Sequence, residues 1–246
     1  MRERADELAA ANRRKDEFLA TLAHELRNPL APIRNALEIM RLASGNPKAI
    51  EQARVMTERQ VTQMVRLIDD LLDVSRITRG KLRLDLDAIL LGDVIESALE
   101  ISRPVVQKAG LTLHVVLPPA PVPMQGDRVR LAQVFSNLLN NAAKYTEPGG
   151  SVYVTVEAGE SIVVRVRDTG VGVPAEMLPR LFELFTQVDR SLNRSQGGLG
   201  IGLALVRRLT EMHGGTVEAT SEGPGKGSEF VVRLPRVVPK ADGATK

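Results

Sequence analysis

Residues 19–40 have the sequence LATLAHELRNPLAPIRNALEIM, and the spacing of their apolar side chains predicts the first part of the fold. Large apolar residues recur every three or four positions, at Leu19, Leu22, Leu26, Leu30, Ile33, Leu37 and Met40. This spacing places them on one face of an α-helix, as in a coiled coil. The stretch therefore predicts one long helix over residues 2 to about 43, with a narrow apolar seam.

A second helix with the same spacing follows a turn at Ser44-Gly45-Asn46-Pro47 and is expected to end near Arg79. Its apolar positions are Met64, Leu67, Leu71 and Val74. Two such helices form an antiparallel hairpin that buries only one narrow stripe, so the hairpin is expected to be marginally stable by itself. We therefore predict that residues 1–80 dimerise into a four-helix bundle.

After residue 80 helices alternate with strands, which predicts a layered α/β domain over residues 81–236 and a tail at 237–246. Strands are expected at 82–86, 111–117, 151–156, 162–167, 216–219 and 229–234. Helices are expected at 91–109, 127–144 and 201–212. Asp127 is the predicted N-cap of the second of these helices.

The composition argues against several classes of protein. A net charge of +3 over 246 residues and an aromatic content of 3% provide neither a basic patch nor a stacking platform for nucleic acid. The absence of cysteine excludes disulfide frameworks and fits a reducing, cytoplasmic compartment. The chain lacks any apolar run near the roughly 20 residues that span a bilayer, which leaves membrane anchoring of a longer parent protein open.

His24 is followed by Glu25 midway along the first predicted helix. A neutral imidazole is nucleophilic, and an adjacent carboxylate can accept or orient its ring proton. His24 lies two residues from both Leu22 and Leu26, about 200° around the helix from the seam. Asn28, four residues further, shares this outer face. The arrangement suits a phosphoryl acceptor that is exposed to partners.

The helix that begins after Asp127 carries the polar run NLLNNAAKY at residues 137–145. Asn137, Asn141 and Lys144 are four and three residues apart and therefore share one helix face. Amide oxygens can ligate Mg²⁺, and a lysine can neutralise a phosphate. A polar stripe on an ordinary surface helix explains this run equally well, so the run by itself leaves both interpretations open.

Asp168 begins the segment Asp168-Thr169-Gly170-Val171-Gly172, directly after a predicted strand. A carboxylate at a strand end can accept a hydrogen bond from an exocyclic amine such as that of adenine, and glycines allow the backbone close to a planar ligand. An ordinary turn that contains an aspartate is the commoner explanation for such a segment. Asp168 alone therefore does not decide the matter.

A second glycine-rich run, Gly197-Gly198-Leu199-Gly200-Ile201-Gly202, leads straight into a helix. Free backbone amides at a helix N-terminus can bind an anion, which a flexible hinge would not require. The run matches neither the Rossmann fingerprint nor a Walker loop. Before it, the segment LFELF at 181–185 and the polar residues 186–196 predict a short anchor and a mobile lid.

Taken together and in order, these motifs resemble the catalytic core of two-component sensor histidine kinases, in particular that of hybrid kinases. The matching segments are His24–Pro29, Asn137–Lys144, Asp168–Gly172, Phe182-x-x-Phe185, the glycines at 197–202 and Gly225-x-Gly227-Ser228. The resemblance implies a dimerisation and histidine-phosphotransfer hairpin joined to an α/β-sandwich ATP-binding domain of the gyrase and heat-shock-chaperone type. It also implies a bacterial homodimer, a receiver domain of a response regulator as partner, and a sensory domain upstream of this chain.

The same resemblance implies a role for each matching residue. His24 is the phosphorylated residue, Glu25 its general base, and Asn28 matches the position that orients water for dephosphorylation of the partner. In the second domain Asn137 is implied to ligate Mg²⁺ through the ATP phosphates, and Asn141 and Lys144 to contact those phosphates. Tyr145 would pack near the base, and Asp168 would recognise adenine with Gly170 and Gly172 beside it. The glycines of the phosphate-side lid would be Gly198, Gly200 and Gly202.

The expected reaction is ATP-dependent phosphorylation of His24, followed by transfer of the phosphoryl group to an aspartate of the receiver. The ATP-binding domain would swing about a hinge near residues 76–83 to reach His24. Two other interpretations remain open at this point. An ATP-driven clamp of the mismatch-repair or topoisomerase type shares the nucleotide motifs, and a scaffold that only dimerises sensors needs the hairpin but no ATP.

Overall fold

The computed structural model describes residues 20, 22–23, 26–43, 45–184, 186 and 200–236. The first helix, α1, is described over residues 26–42, and residues 20 and 22–23 are helical too. The remaining helices are α2 (Pro47–Thr78), α3 (Leu91–Lys108), α4 (Arg128–Tyr145) and α5 (Gly202–Met212). The strands are β1 (Asp87–Leu90), β2 (Thr112–Val116), β3 (Pro123–Gly126), β4 (Ser151–Ala158), β5 (Ser161–Asp168), β6 (Thr216–Thr220) and β7 (Ser228–Pro235).

Helices α1 and α2 form the predicted hairpin. Ala36 lies six residues before the end of α1 at residue 42, and Ala53 lies six residues after the start of α2 at Pro47. Both alanines are almost completely buried, at 0% and 2% exposure. The two buried alanines are equally far from the turn, and small side chains at this level allow two helices to approach closely.

Two leucines of the predicted seam are exposed in the single chain. Leu30 and Leu37 are 50% and 56% exposed in the single chain, whereas their neighbours Pro29 and Ala36 are buried. Helix α2 also carries a second apolar stripe, exposed in the described chain, at Val61, Val65, Ile68 and Leu72. The reason is geometric, since one partner helix can cover only one side of each helix.

The second part of the chain confirms the predicted α/β architecture. A five-stranded sheet has the order β2-β4-β5-β7-β6, in which only the β2–β4 pair is parallel. Helices α3, α4 and α5 contribute their apolar sides to one core with the buried face of this sheet. Phe135 and Leu138 of α4 and Val164 of β5 lie in this core and are at most 1% exposed.

The prediction of a strand at residues 82–86 is wrong. The strand starts at Asp87 and pairs with β3, which was not among the strands expected from the sequence. Leu82 packs against the core of the α/β domain as part of an extended linker, so its alternation with charged residues reflects one-sided packing. The linker follows α2, and Gly80, two residues beyond the end of this helix at Thr78, adopts a left-handed conformation with φ of 64°.

Within the described part of the chain, no helix combines the length and the hydrophobicity needed to span a membrane.

Candidate functional site

Helix α4 presents the predicted polar face on one side of the domain. Asp127 caps this helix, as predicted, because its Oδ1 accepts hydrogen bonds from the backbone N–H groups of Val129 and Arg130, both at 3.1 Å. The apolar face of α4 packs in the core and fixes the rotation of the helix. Asn137, Asn141 and Lys144 are therefore held half-buried on the opposite face.

Two polar atoms on this part of α4 are buried without a hydrogen-bond partner among the described residues. They are the amide nitrogen Nδ2 of Asn137 and the amide oxygen Oδ1 of Asn140. Unpaired buried polar atoms are rare in folded proteins because each one loses its hydrogen bonds to water. Their presence on one helix indicates a surface that is built to receive polar groups.

The N-terminus of α5 lies against Asn137. A Cβ atom built on Gly202 would lie 3.9 Å from Cγ of Asn137. Ile201 is the N-cap residue and supplies no side-chain hydrogen bond to the first turn. Free backbone N–H groups at a helix N-terminus favour a phosphate or another anion. An amide face and a helix N-terminus therefore converge on one place.

Asp168 lies at the end of β5 and is 4% exposed. Its Oδ1 accepts hydrogen bonds from the backbone N–H of Gly170 at 2.8 Å and of Ser228 at 3.2 Å. Its Oδ2 accepts one from the Ser228 hydroxyl at 2.5 Å. A carboxylate has about four lone-pair sites, so Asp168 is fixed in orientation and can still accept a hydrogen bond from a ligand.

The glycines around Asp168 are required by contacts within the protein. A Cβ atom on Gly170 would overlap the carbonyl oxygen of Tyr145, and one on Gly172 would overlap the carbonyl oxygen of Gly223. Gly172 also has a φ of 70°, which favours glycine. These close approaches bring the end of α4, the loop after β5 and the turn at 223–227 together around Asp168.

Two serines in this region were not predicted from the sequence as functional residues. Ser228 holds Asp168, to which it is the cross-strand partner in the β5–β7 pair. Ser221 accepts a hydrogen bond from the backbone N–H of Val173 at 3.0 Å and donates one to the carbonyl oxygen of Gly227 at 2.6 Å. Only the register of the sheet reveals these roles, since about 50 to 60 residues separate the partners in sequence.

His213 joins α5 to α4 behind the site. Its Nδ1 lies 2.7 Å from the carbonyl oxygen of Leu209, and its Nε2 accepts a hydrogen bond from the backbone N–H of Asp127 at 3.0 Å. These partners assign the proton to Nδ1, where it is donated to Leu209. Burial of the ring lowers the pKa of His213 below its ordinary value of 6.5. These contacts give His213 a structural role.

The remaining predicted residues are distributed as follows. Lys144 donates a hydrogen bond from Nζ to the Tyr145 hydroxyl at 3.0 Å, and its ammonium lies 4.7 Å from the centre of the Tyr145 ring. Asn28 is exposed on α1. His24, Glu25, Gly198 and the predicted lid at 187–196 lie outside the described residues.

The described residues contain no cluster of three or more His, Cys, Asp or Glu side chains that could hold a metal ion. Among these residues, amide oxygens are the available ligands for a Mg²⁺ ion that a phosphate group brings with it. The carboxamide of Asn137 is a hard oxygen donor of the type that Mg²⁺ accepts, and it lies beside the N-terminus of α5, where phosphates are favoured. The residues present thus fit a magnesium–phosphate group.

Two family profiles match this chain. Residues 14–80 match the His Kinase A (phospho-acceptor) domain. Residues 126–238 match the family described as histidine kinase-, DNA gyrase B-, and HSP90-like ATPase. The first match covers the hairpin, and the second covers α4, α5 and the strands around Asp168.

The curated relatives are longer proteins. The sensor histidine kinase RcsC of Escherichia coli strain K12 is 36% identical over 236 residues, which cover 96% of this chain and 25% of RcsC. The sensor protein GacS of Pseudomonas syringae pv. syringae is 34% identical, over 96% of this chain and 26% of GacS. The chain thus spans about a quarter of the length of the curated relatives it matches.

A solved structure extends the similarity to the fold. Full-length ShkA in complex with AMPPNP is 30% identical with a TM-score of 0.65, and the match covers 89% of this chain and 45% of ShkA. ShkA is therefore a protein with this fold that has been solved together with an ATP analogue.

Proposed function

We propose that the α/β domain binds ATP with Mg²⁺ and phosphorylates His24, because this chain belongs to the family of two-component sensor histidine kinases. The observation that carries this proposal is the convergence around one end of the domain. The held carboxylate of Asp168, the amide face of α4 and the N-terminus of α5 all belong to this end. The AMPPNP complex of ShkA supports a nucleotide as the ligand.

Each part of the site suits a different part of ATP. Asp168 is a charged acceptor that Gly170 and Ser228 orient, so it fits the exocyclic amine of adenine. Asn137, Asn141 and Lys144 fit the polyphosphate, together with the backbone N–H groups at the start of α5. Tyr145, which is 44% exposed, is suited to pack beside the base.

The glycines of the site divide between the two ends of the nucleotide. Gly170 and Gly172 shape the loop beside adenine, and Gly198, Gly200 and Gly202 belong to the phosphate side. Bound Mg²⁺ would neutralise charge on the phosphates, with Asn137 as its protein ligand. Positioning and charge neutralisation supply most of the catalysis in phosphoryl transfer.

The chemical step is an in-line displacement at the γ-phosphorus. A nitrogen of the His24 ring forms the new P–N bond, the bond between γ-phosphorus and the bridging oxygen breaks, and ADP leaves with that oxygen. Glu25 takes or orients the proton on the other ring nitrogen. The phosphoryl group then passes to an aspartate of a receiver domain. Asn28 orients water for a separate reaction, the hydrolysis that releases this group from the receiver as inorganic phosphate.

The hairpin supports a homodimer as the working form. The stripe at Val61, Val65, Ile68 and Leu72 is 44–52% exposed in the single chain. Its spacing of four, three and four residues matches the seam of a helical bundle. A second copy would bury this stripe together with Leu30 and Leu37 and complete a four-helix bundle.

The test is incubation with γ-labelled ATP and Mg²⁺, followed by acid or base treatment of the labelled protein. We expect label that survives base, is lost in acid and is absent from His24→Ala. His114→Ala is the matched control, because His114 is exposed on β2 and has no proposed role. Addition of a cognate receiver domain should then remove the label from the kinase and place it on an aspartate.

Label that persisted in His24→Ala would refute the assignment of the phosphorylated residue. ATP hydrolysis without any acid-labile phosphoprotein would instead favour a clamp ATPase. Label that stayed on the kinase with every receiver tested would refute the transfer step and leave the kinase step standing.

A further inference from the structure

The turn between β6 and β7 is hydrogen-bonded to the loop that follows β5. We call residues 221–227 the β6–β7 turn and residues 169–173 the post-β5 loop. Two backbone hydrogen bonds join these segments, each from an N–H group of the turn to a carbonyl oxygen of the loop: Gly225 to Val171 at 2.7 Å, and Gly227 to Gly170 at 3.0 Å. The turn therefore supports the loop that lies beside Asp168.

Glycines bring the two segments into direct backbone contact. A Cβ atom on Gly172 would overlap the carbonyl oxygen of Gly223, and one on Gly227 would overlap the carbonyl oxygen of Asp168. At these two points backbone lies against backbone, so the contact buries little apolar side chain. Backbone N–H and C=O groups need partners when they are buried. Hydrogen bonds therefore decide how the turn is placed on the loop.

Ser221 supplies three of these hydrogen bonds from one hydroxyl group. Its Oγ accepts from the backbone N–H of Val173 at 3.0 Å and from that of Gly223 at 3.2 Å. It donates to the carbonyl oxygen of Gly227 at 2.6 Å, which is nearer than the carbonyl oxygen of Gly223 at 3.4 Å. A hydroxyl has one proton and two lone pairs, so Ser221 uses its full hydrogen-bonding capacity. It thereby joins the post-β5 loop to both ends of the β6–β7 turn.

The carboxylate of Asp168 is bonded to the same two segments. On the side of the turn, Ser228 follows Gly227 directly and donates its backbone N–H to Oδ1 at 3.2 Å and its hydroxyl to Oδ2 at 2.5 Å. On the side of the loop, the backbone N–H of Gly170 donates to Oδ1 at 2.8 Å. A displacement of the turn relative to the loop would therefore reorient the carboxylate.

We propose that Ser221 is a positioning residue for the recognition of adenine, which holds the turn and the loop at the separation that aims Asp168 at the exocyclic amine. The inference rests on the proposed function, which assigns Asp168 to adenine. The hydroxyl of Ser221 is fully used within the protein, so it acts through Asp168 and does not bond the base.

Loss of this hydroxyl would remove a partner from a buried group. Val173 is 8% exposed, and its backbone N–H bonds to Oγ of Ser221. A buried donor without a partner is costly, so the loop is expected to shift until the N–H finds another acceptor or water. Hydrogen bonds weaken steeply with distance and misalignment. The contact between Asp168 and the amine should therefore weaken even though Asp168 itself is intact.

The test compares ADP with purine riboside 5′-diphosphate, which differs from ADP only in lacking the exocyclic amine. Both probes carry the same ribose and phosphates, and neither has a γ-phosphoryl group to transfer. The ratio of their dissociation constants therefore measures the contact with the amine. Calorimetric titration of the full chain in the presence of Mg²⁺ gives both constants.

The variants are Ser221→Ala, which removes the hydroxyl, and Ser221→Cys, which keeps the size of the side chain but has a thiol that donates and accepts only weakly. Two variants guard against the failure of either one to fold, which circular dichroism would reveal. The first control, Ser97→Ala, removes a hydroxyl that bonds the carbonyl oxygen of Asp93 on α3 at 2.8 Å.

The second control, Val156→Ala, lowers stability away from the site. Val156 is 6% exposed and lies on β4, four residues after Val152, the cross-strand partner of Asp168. This separation corresponds to about 13 Å along the strand. A variant of this kind shows whether a loss of stability by itself changes the ratio.

We expect the wild type to bind ADP about tenfold to a hundredfold more tightly than purine riboside 5′-diphosphate, as for a hydrogen bond to a charged group. Both Ser221 variants should reduce this ratio at least about fivefold, and both controls should keep it. In the Asp168→Asn background, Ser221→Ala should leave the ratio unchanged, because the contact through which Ser221 acts is already lost.

An unchanged ratio in both Ser221 variants would overturn the positioning role and leave the proposed function standing. An equal fall of the ratio in Val156→Ala, or a further fall when Ser221→Ala is added to Asp168→Asn, would also overturn it. Equal affinities of the wild type for the two probes would refute the assignment of Asp168 to adenine and this inference with it. Failure of the wild type to bind ADP would refute the proposed function itself.

Discussion

The hairpin and the α/β domain bury apolar side chains in different ways. In the hairpin only one side of each helix is covered, so Leu37 and Val65 remain 56% and 52% exposed. In the α/β domain α4 is enclosed by helices and sheet, and Phe135 is 1% exposed. The hairpin of a single chain therefore leaves apolar surface uncovered, which the proposed dimer would bury, whereas the α/β domain encloses its own core.

Polar contacts also differ between the two regions: they are exposed and local in the hairpin, and buried and distant in sequence in the α/β domain. On α2, Arg54 pairs with Glu51 and Glu58, three and four residues away, and all three side chains are at least half exposed. In the α/β domain the pair Asp168–Ser228 spans 60 residues and the pair Asp127–His213 spans 86. Exposed local pairs add little to stability, whereas buried distant contacts fix the relative positions of whole elements.

The substitutions Phe135→Ala and Leu37→Ala should give the largest difference in the free energy of unfolding between the two regions. Removal of the buried ring leaves a cavity, and we expect a loss of about 3–5 kcal/mol in the free energy of unfolding. Leu37→Ala should change the stability of the isolated chain by only about 0.5 kcal/mol but weaken self-association. Urea denaturation and sedimentation velocity measure the two effects. Equal losses of unfolding free energy would contradict the comparison.

Asp168→Asn tests whether the α/β domain holds its site by long-range hydrogen bonds. The amide removes the charged acceptor and presents an NH₂ group to the donors of Gly170 and Ser228. We expect the affinity for ATP to fall about a hundredfold, or about 2.7 kcal/mol, by calorimetric titration. Asp93→Asn, at an exposed position in α3, is the control. A loss of less than about threefold would contradict the assigned role.

The N-cap residues Asn46 and Asp127 allow the same kind of capping hydrogen bond to be compared in the two regions. Asn46 is exposed and accepts one hydrogen bond, from the backbone N–H of Ala49 at 3.2 Å. Asp127 is 8% exposed and also accepts one from the backbone N–H of Asp85 in the linker at 3.1 Å. We expect Asp127→Ala to cost about 2–3 kcal/mol and Asn46→Ala about 0.5–1 kcal/mol. Thermal unfolding measures both, and similar costs would show that burial adds nothing.

The smallest expected effect is the pH dependence of the stability that His213 contributes to the α/β domain. Burial lowers the pKa of His213, so the folded chain binds a proton there less readily than the unfolded chain does. The stabilisation is complete above the unfolded pKa of about 6.5 and is lost progressively as the pH falls below it. Protonation would also set Nε2–H against the backbone N–H of Asp127.

Thermal unfolding of the wild type and of His213→Gln between pH 7.5 and pH 5 checks this expectation. The stability difference between the two proteins should shrink as the pH falls. A constant difference across this range would show that His213 does not contribute to the pH dependence.

The sequence was most informative where contacts are local. The cap at Asp127, the shared face of Asn137, Asn141 and Lys144, and the strands at 151–156 and 162–167 follow from spacings of a few residues, and the structure shows the same elements. The strand predicted at residues 82–86 was wrong, because alternation cannot distinguish a strand from an extended linker that packs on one side. Strand β3 was missed because four residues that begin with a proline carry little strand signal.

The sequence alone established most of the helices and strands, the two-part architecture and the candidate residues of the site, since helix and strand periodicities and short motifs depend on neighbours along the chain. Only the tertiary structure decided that Ser228 holds Asp168, that Gly170 must meet Tyr145, and that Arg130 joins Asp73. The physical reason is distance along the chain. These partners lie 25 to 60 residues apart, and sheet register and helix packing alone bring them together.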